Sequence, residues 1–254
     1  MFIDAHTHHY LSNYSTLELI RNEGYEASVI LAYIPLRPSS SSTLVDIFNW
    51  LLNVEPERHK ALGLRTYIGV GIHPRNIPLT GLQELLNSME EYLSRADVLG
   101  EVGLETSSDE ECDVLLKLLK IANKLDKVVI IHTPRRAKDV AIKKLPKILR
   151  ESGINLERVV VDHASFDLIK EFLRLGTYIG LTVQPGKLTE KQVHEIVVRY
   201  PEIIDLGMLN SDCGRDPTDP LAVKKTYTLL INEGIRRVDA DKLARTNFLK
   251  LIGY

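Results

Sequence analysis

The chain has 254 residues, 44% of them hydrophobic and 26% charged, which is enough apolar material for a large core and excludes disorder as the main theme. Lys and Arg total 32 against 34 Asp and Glu, a formal charge of −2, so no global field draws the chain to nucleic acid or anionic lipid. Any phosphate recognition must be local. Two cysteines, Cys112 and Cys213, are too few for a disulfide framework or a thiolate zinc site. The opening MFIDAHTHHY lacks a basic-then-apolar leader, and no stretch reaches the ~18 apolar residues of a membrane span. The expected setting is the cytoplasm, with no membrane partner.

In chain order, apolar or β-branched runs fall at Phe2 to His8, Ala27 to Ile34, Tyr67 to His73 and Val98 to Leu104. Four more follow at Val128 to His132, Val159 to His163, Tyr178 to Val183 and Gly207 to Asp212. Most are continuous rather than alternating, as in strands covered on both faces of a parallel sheet. Helices are expected between them at about 15–23, 43–61, 137–151, 165–175, 218–233 and 240–251. Three more carry start signals: Thr80-Gly81-Leu82-Gln83, Ser108-Asp109-Glu110-Glu111 as a capping box, and Thr189-Glu190-Lys191-Gln192. Behind Ser108, Val114, Leu118, Ile121, Ala122 and Leu125 follow at helical spacing.

Strand onsets mostly differ by about 30 residues, the length of one βα unit. Eight such units in one chain predict a single-domain α/β fold, the (β/α)8 TIM barrel, with a doubly wound open sheet as the alternative. No composition shift marks a domain boundary over 1–254. Pro38-Ser39-Ser40-Ser41-Ser42 reads as a loop.

Five histidines, His6, His8, His73, His132 and His163, sit at or beside predicted strand ends. In a parallel barrel those ends share one face, where active sites are built. His9, His59 and His194 are expected on the surface. His6 and His8, two apart on a strand, project to the same side and can reach one ion. Glu101 lies inside an apolar strand and Asp212 ends another, and a carboxylate there needs a cation or a strong donor. Four imidazoles and two carboxylates, His6, His8, Glu101, His132, His163 and Asp212, exceed what one ion uses with a position left for water. Two divalent ions bridged by Glu101 and sharing a water account for all six. One ion with some of these residues behind it is the simpler alternative. Such donors admit zinc, manganese, magnesium, nickel or cobalt.

At these residues the sequence resembles the TatD-related metal-dependent hydrolases, barrels typified by deoxyribonucleases. Phe2 to His8 resembles the family's D-x-H-x-H strand, Gly71-Ile72-His73-Pro74 its G-x-H-P, and Gly100 to Glu105 its G-E-I-G-L-D. Ile131-His132 with Arg135 or Arg136 and Ala137, Val161-Asp162-His163, and Thr246-Asn247-Phe248-Leu249-Lys250 are similar to later family segments. The resemblance implies a first ion held by His6, His8, Glu101 and Asp212, and a second by Glu101, His132 and His163. Departures fall on the substrate side. Glu105 replaces an aspartate, a residue is inserted before the arginine, and Asn210-Ser211-Asp212-Cys213-Gly214 replaces an E-T-D segment.

The expected reaction is hydrolysis of a phosphoester in a phosphorylated small molecule or a DNA end. Asp212 is the candidate for orienting the water and taking its proton, Glu101 the bridging carboxylate, and His73 a donor to a phosphate oxygen or leaving group. Arg75, Arg135, Arg136, Lys187 and Arg215 follow strand ends and can supply phosphate contacts. Lys143, Lys144, Lys147 and Arg150 read as a solvated helix face. With 6% aromatic residues and no basic-aromatic interleaving, sequence-specific DNA binding is not expected. A lactonase or amidase on the same cradle, and a non-catalytic metal scaffold, are the rival readings. Oligomeric state leaves no signature.

Overall fold

The computed structural model describes residues 1–136, 138–214 and 217–253. The first half runs β1 (Phe2–Thr7), α1 (Tyr14–Asn22), β2 (Tyr25–Leu31), α2 (Ser41–Asn53), α3 (Glu55–Lys60), β3 (Arg65–Val70), α4 (Leu82–Arg95), β4 (Val98–Gly103) and α5 (Asp109–Lys124). The second half runs β5 (Val128–His132), α6 (Lys138–Ser152), β6 (Val159–Val161), α7 (Phe166–Leu175), β7 (Tyr178–Thr182), α8 (Glu190–Arg199), α9 (Ile203–Leu206), β8 (Gly207–Asn210) and α10 (Ala222–Asn232). After α11 (Arg237–Asp241) a π-helical turn, Lys242–Thr246, leads into α12 (Asn247–Leu251).

All eight strands are parallel and lie in one sheet in sequence order, as the βα rhythm predicts. The sheet curls into a nearly closed barrel. At the seam, main-chain bonds run from His8 N to Cys213 O (2.7 Å) and from Asp212 N to His6 O (3.0 Å). Asp4 completes it with its side chain, accepting from Ser211 N at 3.0 Å and from the Ser211 hydroxyl at 2.5 Å. The barrel interior holds Ile3, Val29, Val128, Ile130, Val160 and Met208, and Phe248 and Leu251 of α12 close the end where the strands begin. A second apolar layer, including Leu17, Phe48, Leu118 and Phe172, fills the space between strands and outer helices.

Three expectations of local structure are corrected. The 43–61 helix is two, because Pro56 cannot continue the hydrogen-bonding ladder and starts α3 afresh after Val54. At α5, Ser108 accepts from Glu111 N, but the Glu111 carboxylate turns to the N–H groups of Glu105, Thr106 and Ser107, so only half of the capping box forms. Gly81, not a side chain, begins α4, and the Thr80 hydroxyl donates to Ser39 O instead. The Thr189–Gln192 box forms in full. On α6, Ala141, Leu145, Ile148 and Leu149 are buried while Lys143, Lys147 and Arg150 face solvent. Among the described residues no helix is long and apolar enough to cross a membrane.

Candidate metal centre

Two breaks in strand register aim the key side chains. Ile3 and Ala5 already point into the barrel, so strict alternation would turn His6 and His8 outward. The β1–β2 register shifts between Asp4 and Thr7, and the imidazoles enter the barrel mouth. On β4 a shift between Leu99 and Val102 does the same for Glu101.

His6 Nε2 and His8 Nε2 are 3.3 Å apart, and each lies 3.6 Å from Glu101 Oε2. Asp212 Oδ1 is 3.1 Å from His8 and 3.7 Å from His6. On the other side, Glu101 Oε1 is 2.8 Å from His132 Nδ1 and 3.1 Å from His163 Nε2. The two oxygens of one carboxylate thus face two separate groups of donors. His73 Nε2 stands 3.7 Å from Glu101 Oε2, and groups with Glu101 and His132. His6, Glu101, His132 and His163 are all buried. His6, His8 and Asp212 form one triplet of donors, His73, Glu101 and His132 a second, and His6, Asp162 and His163 a third; in each the ligand atoms lie within 4.8 Å of one another, which suits a divalent cation.

Charge is finely divided in this space. Burial would raise Glu101, but the surrounding imidazoles, His6 foremost, hold its carboxyl well below the usual range. Burial lowers His6, and the Glu101 and Asp162 carboxylates overcome that to raise it. His163 is pushed down to about 3 by burial and then by Lys187. His73 is lowered by burial and is neutral. Against burial, hydrogen bonds from His132 and Arg75 bring Glu105 down to about 2. Asp212 is likewise low, because Lys187, the His8 hydrogen bond and His6 together outweigh its burial.

Above the donors opens a cavity of about 250 Å³, walled in part by Leu11, Tyr33, Pro185 and Pro217. Arg75 reaches it while bonded to Glu105 (2.5 Å), and Arg135 while bonded to Gln184 Oε1 (2.6 Å). Lys187 lies inside, 2.5 Å from Asp212. Arg135 and Arg136 are both exposed, and of the two only Arg135 lines the cavity. Arg215 and Ala137 lie outside the described residues.

His9 and His59 are fully buried, contrary to the surface expectation. A helical turn directly after β1 tucks His9 under α3, where its ring stacks on His59 at 6.3 Å. Cys213 is buried too, which pushes its thiol up to about 12 and rules it out as a ready nucleophile. Three residues have no role in the sequence reading: Tyr33, whose ring packs on His8 and His73, Gln184, and Asp162 behind His6, which enters there only as part of a family segment. Asp162 was recoverable, since a carboxylate ending an apolar strand is the same signal that marks Glu101.

A parallel barrel whose strand ends gather imidazoles and carboxylates under an open cavity defines a metal-dependent hydrolase. The sequence matches the TatD related DNase family over residues 3–248, and the chain belongs to that family. It is 30% identical to an uncharacterized metal-dependent hydrolase of Methanocaldococcus jannaschii, across 99% of this chain and 98% of that protein. The TatD-like protein of Archaeoglobus fulgidus superposes with a TM-score of 0.84 at 32% identity, covering 100% of both chains. The phosphotriesterase homology protein of Escherichia coli, solved with phosphate in its active site, gives 0.75 at 16% identity over 99% and 98% of the two chains. At that identity the likeness is one of fold alone.

Proposed function

We propose that this chain hydrolyses phosphoester bonds in a DNA end or a phosphorylated small molecule, using two divalent ions. The observation that carries this reading is Glu101, whose Oε1 faces His132 and His163 while its Oε2 faces His6 and His8. His6, His8, Glu101 and Asp212 would hold one ion, and Glu101, His132 and His163 the other. Ions bound there would supply Lewis acidity toward phosphate oxygens and a water of lowered pKa.

The protein's own groups do the rest. Asp212 accepts the proton of the attacking water, its carboxylate being ionised and at the cavity floor. Arg135, Arg75 and Lys187 offer cationic donors around the cavity, suited to the oxygens of a phosphoryl group. His73, buried and neutral, donates to a phosphate oxygen or the leaving group. These cations favour a phosphoester over a neutral lactone or amide. A cavity of about 250 Å³ admits the reacting group and its immediate neighbours.

A hydrolysis panel tests this. Bis(p-nitrophenyl) phosphate, nucleotides and single-stranded DNA, each with manganese, cobalt, zinc, nickel or magnesium, should show metal-dependent turnover. Turnover confined to lactones or cyclic amides defeats the reading. Elemental analysis of the loaded protein should find two ions per chain, and a single ion would remove the bridging role from Glu101.

A further inference from the structure

We propose that Asp162 is the positioning residue of the metal centre: it sets the presentation of His6, and of His163 on the opposite side of Glu101, without itself binding an ion. The proposal rests on the reading that these imidazoles hold metal. Asp162 is 1% exposed and is absent from the cavity wall. Its Oδ2 receives His6 Nδ1 at 2.5 Å. In the neutral imidazole that a metal requires, that nitrogen as donor leaves the lone pair on Nε2, and it is Nε2 that points toward His8, Glu101 and Asp212.

The other oxygen is equally committed. Oδ1 accepts from His163 N at 2.7 Å, from the Thr182 hydroxyl at 2.9 Å and from Asn210 Nδ2 at 3.0 Å. His163 has φ of 59°, a left-handed conformation that is unfavourable for a residue with a Cβ. The bond to its N–H, with Thr133 donating to Asp162 O at 2.7 Å, stabilises that turn. One carboxylate therefore fixes the ring of one candidate ligand and the main chain of another. Four donors on two oxygens leave it little capacity to bind an ion as well.

An independent feature shows that the fold makes room for this carboxylate. A Cβ at residue 180, on the neighbouring β7, would lie 1.9 Å from Asp162 Oδ1 and 2.5 Å from its Cγ. Only glycine permits the arrangement. The strand gives up a side chain where the carboxylate crosses behind the site.

The test is Mn²⁺ affinity by calorimetry for wild type, Asp162→Asn and Gly180→Ala, with the melting temperature of each metal-free protein. An amide cannot offer oxygen to both His6 and the three donors on the other side, and a methyl at residue 180 displaces the carboxylate without changing charge. Both variants should bind Mn²⁺ about 10- to 100-fold more weakly, the range for lost outer partners of metal ligands. Cobalt-loaded samples should also show an altered visible spectrum. Affinity within about threefold of wild type in either folded variant overturns the proposal. So does a loss that merely tracks a fall in the metal-free melting temperature, or a loss beyond about a thousandfold for Asp162→Asn, which would make Asp162 a ligand. If Asp162→Asn does not fold, Gly180→Ala decides alone. Failure of the wild type itself to bind Mn²⁺ would instead defeat the metal reading on which the proposal stands.

Discussion

Lys187 places its ammonium 2.5 Å from Asp212 Oδ2 and 2.9 Å from His163 Nδ1, within the same space as the proposed metal ligands. A buried like charge beside a cation site weakens the site, and a positive group beside a reacting phosphate helps it. Lys187→Met should therefore bind Mn²⁺ more tightly while kcat/KM on a phosphoester falls about 100-fold. Calorimetry and steady-state kinetics on one preparation check both arms. Equal losses in metal affinity and activity would mean that Lys187 only supports the fold.

Glu101→Gln keeps the shape of the bridging side chain and removes its charge. The five imidazoles around it then lose their shared anion, and the amide presents a donor where a ligand is needed. Metal content should drop below one ion per chain and activity by about 1,000-fold or more, read by elemental analysis and by the hydrolysis assay.

The inserted residue before the arginines gives a paired prediction. Both are exposed, and only Arg135 lines the cavity. Arg135→Ala should raise KM about tenfold through a lost charge-assisted bond to the substrate anion. Arg136→Ala should leave kcat and KM within about twofold of wild type.

Removing metal with a chelator should abolish turnover and lower thermal stability, because a ligand bound only to the folded state stabilises by about 2.7 kcal/mol at 100 times its dissociation constant. Melting temperatures with and without added Mn²⁺ measure the second effect, and return of activity on adding metal back measures the first.

His9 gives a pH signature separate from catalysis. Burial, then the neighbouring His59, lowers its folded pKa to about 3 from the usual 6.5. The unfolded chain takes up a proton near 6.5 that the folded chain refuses until about 3. Stability from this group is thus complete above 6.5 and is lost as pH falls toward 3. The slope is at most about 1.4 kcal/mol per pH unit for one group. His9→Phe should flatten the denaturation midpoint between pH 6.5 and 4, and an unchanged slope would refute the assignment.

The sequence by itself determined the barrel and most of the floor of the site. Continuous apolar runs at βα spacing leave few ways to bury both faces of each strand, and charged groups stranded at the ends of such runs declare themselves because burial without a partner is costly. His6, His8, Glu101, His132, His163 and Asp212 were legible for that reason, and the structure brings them together. What only tertiary structure decided is where alternation breaks and which groups meet across strands. The register shifts in β1 and β4 carry no residue signature, and Gly180 has meaning only beside Asp162. A charged stretch likewise concealed the burial of His59, since Arg58 and Glu55 pair with each other on the same helix. Periodicity records how each segment is covered, whereas a contact between distant segments depends on three-dimensional offsets of a few ångströms that no local pattern encodes.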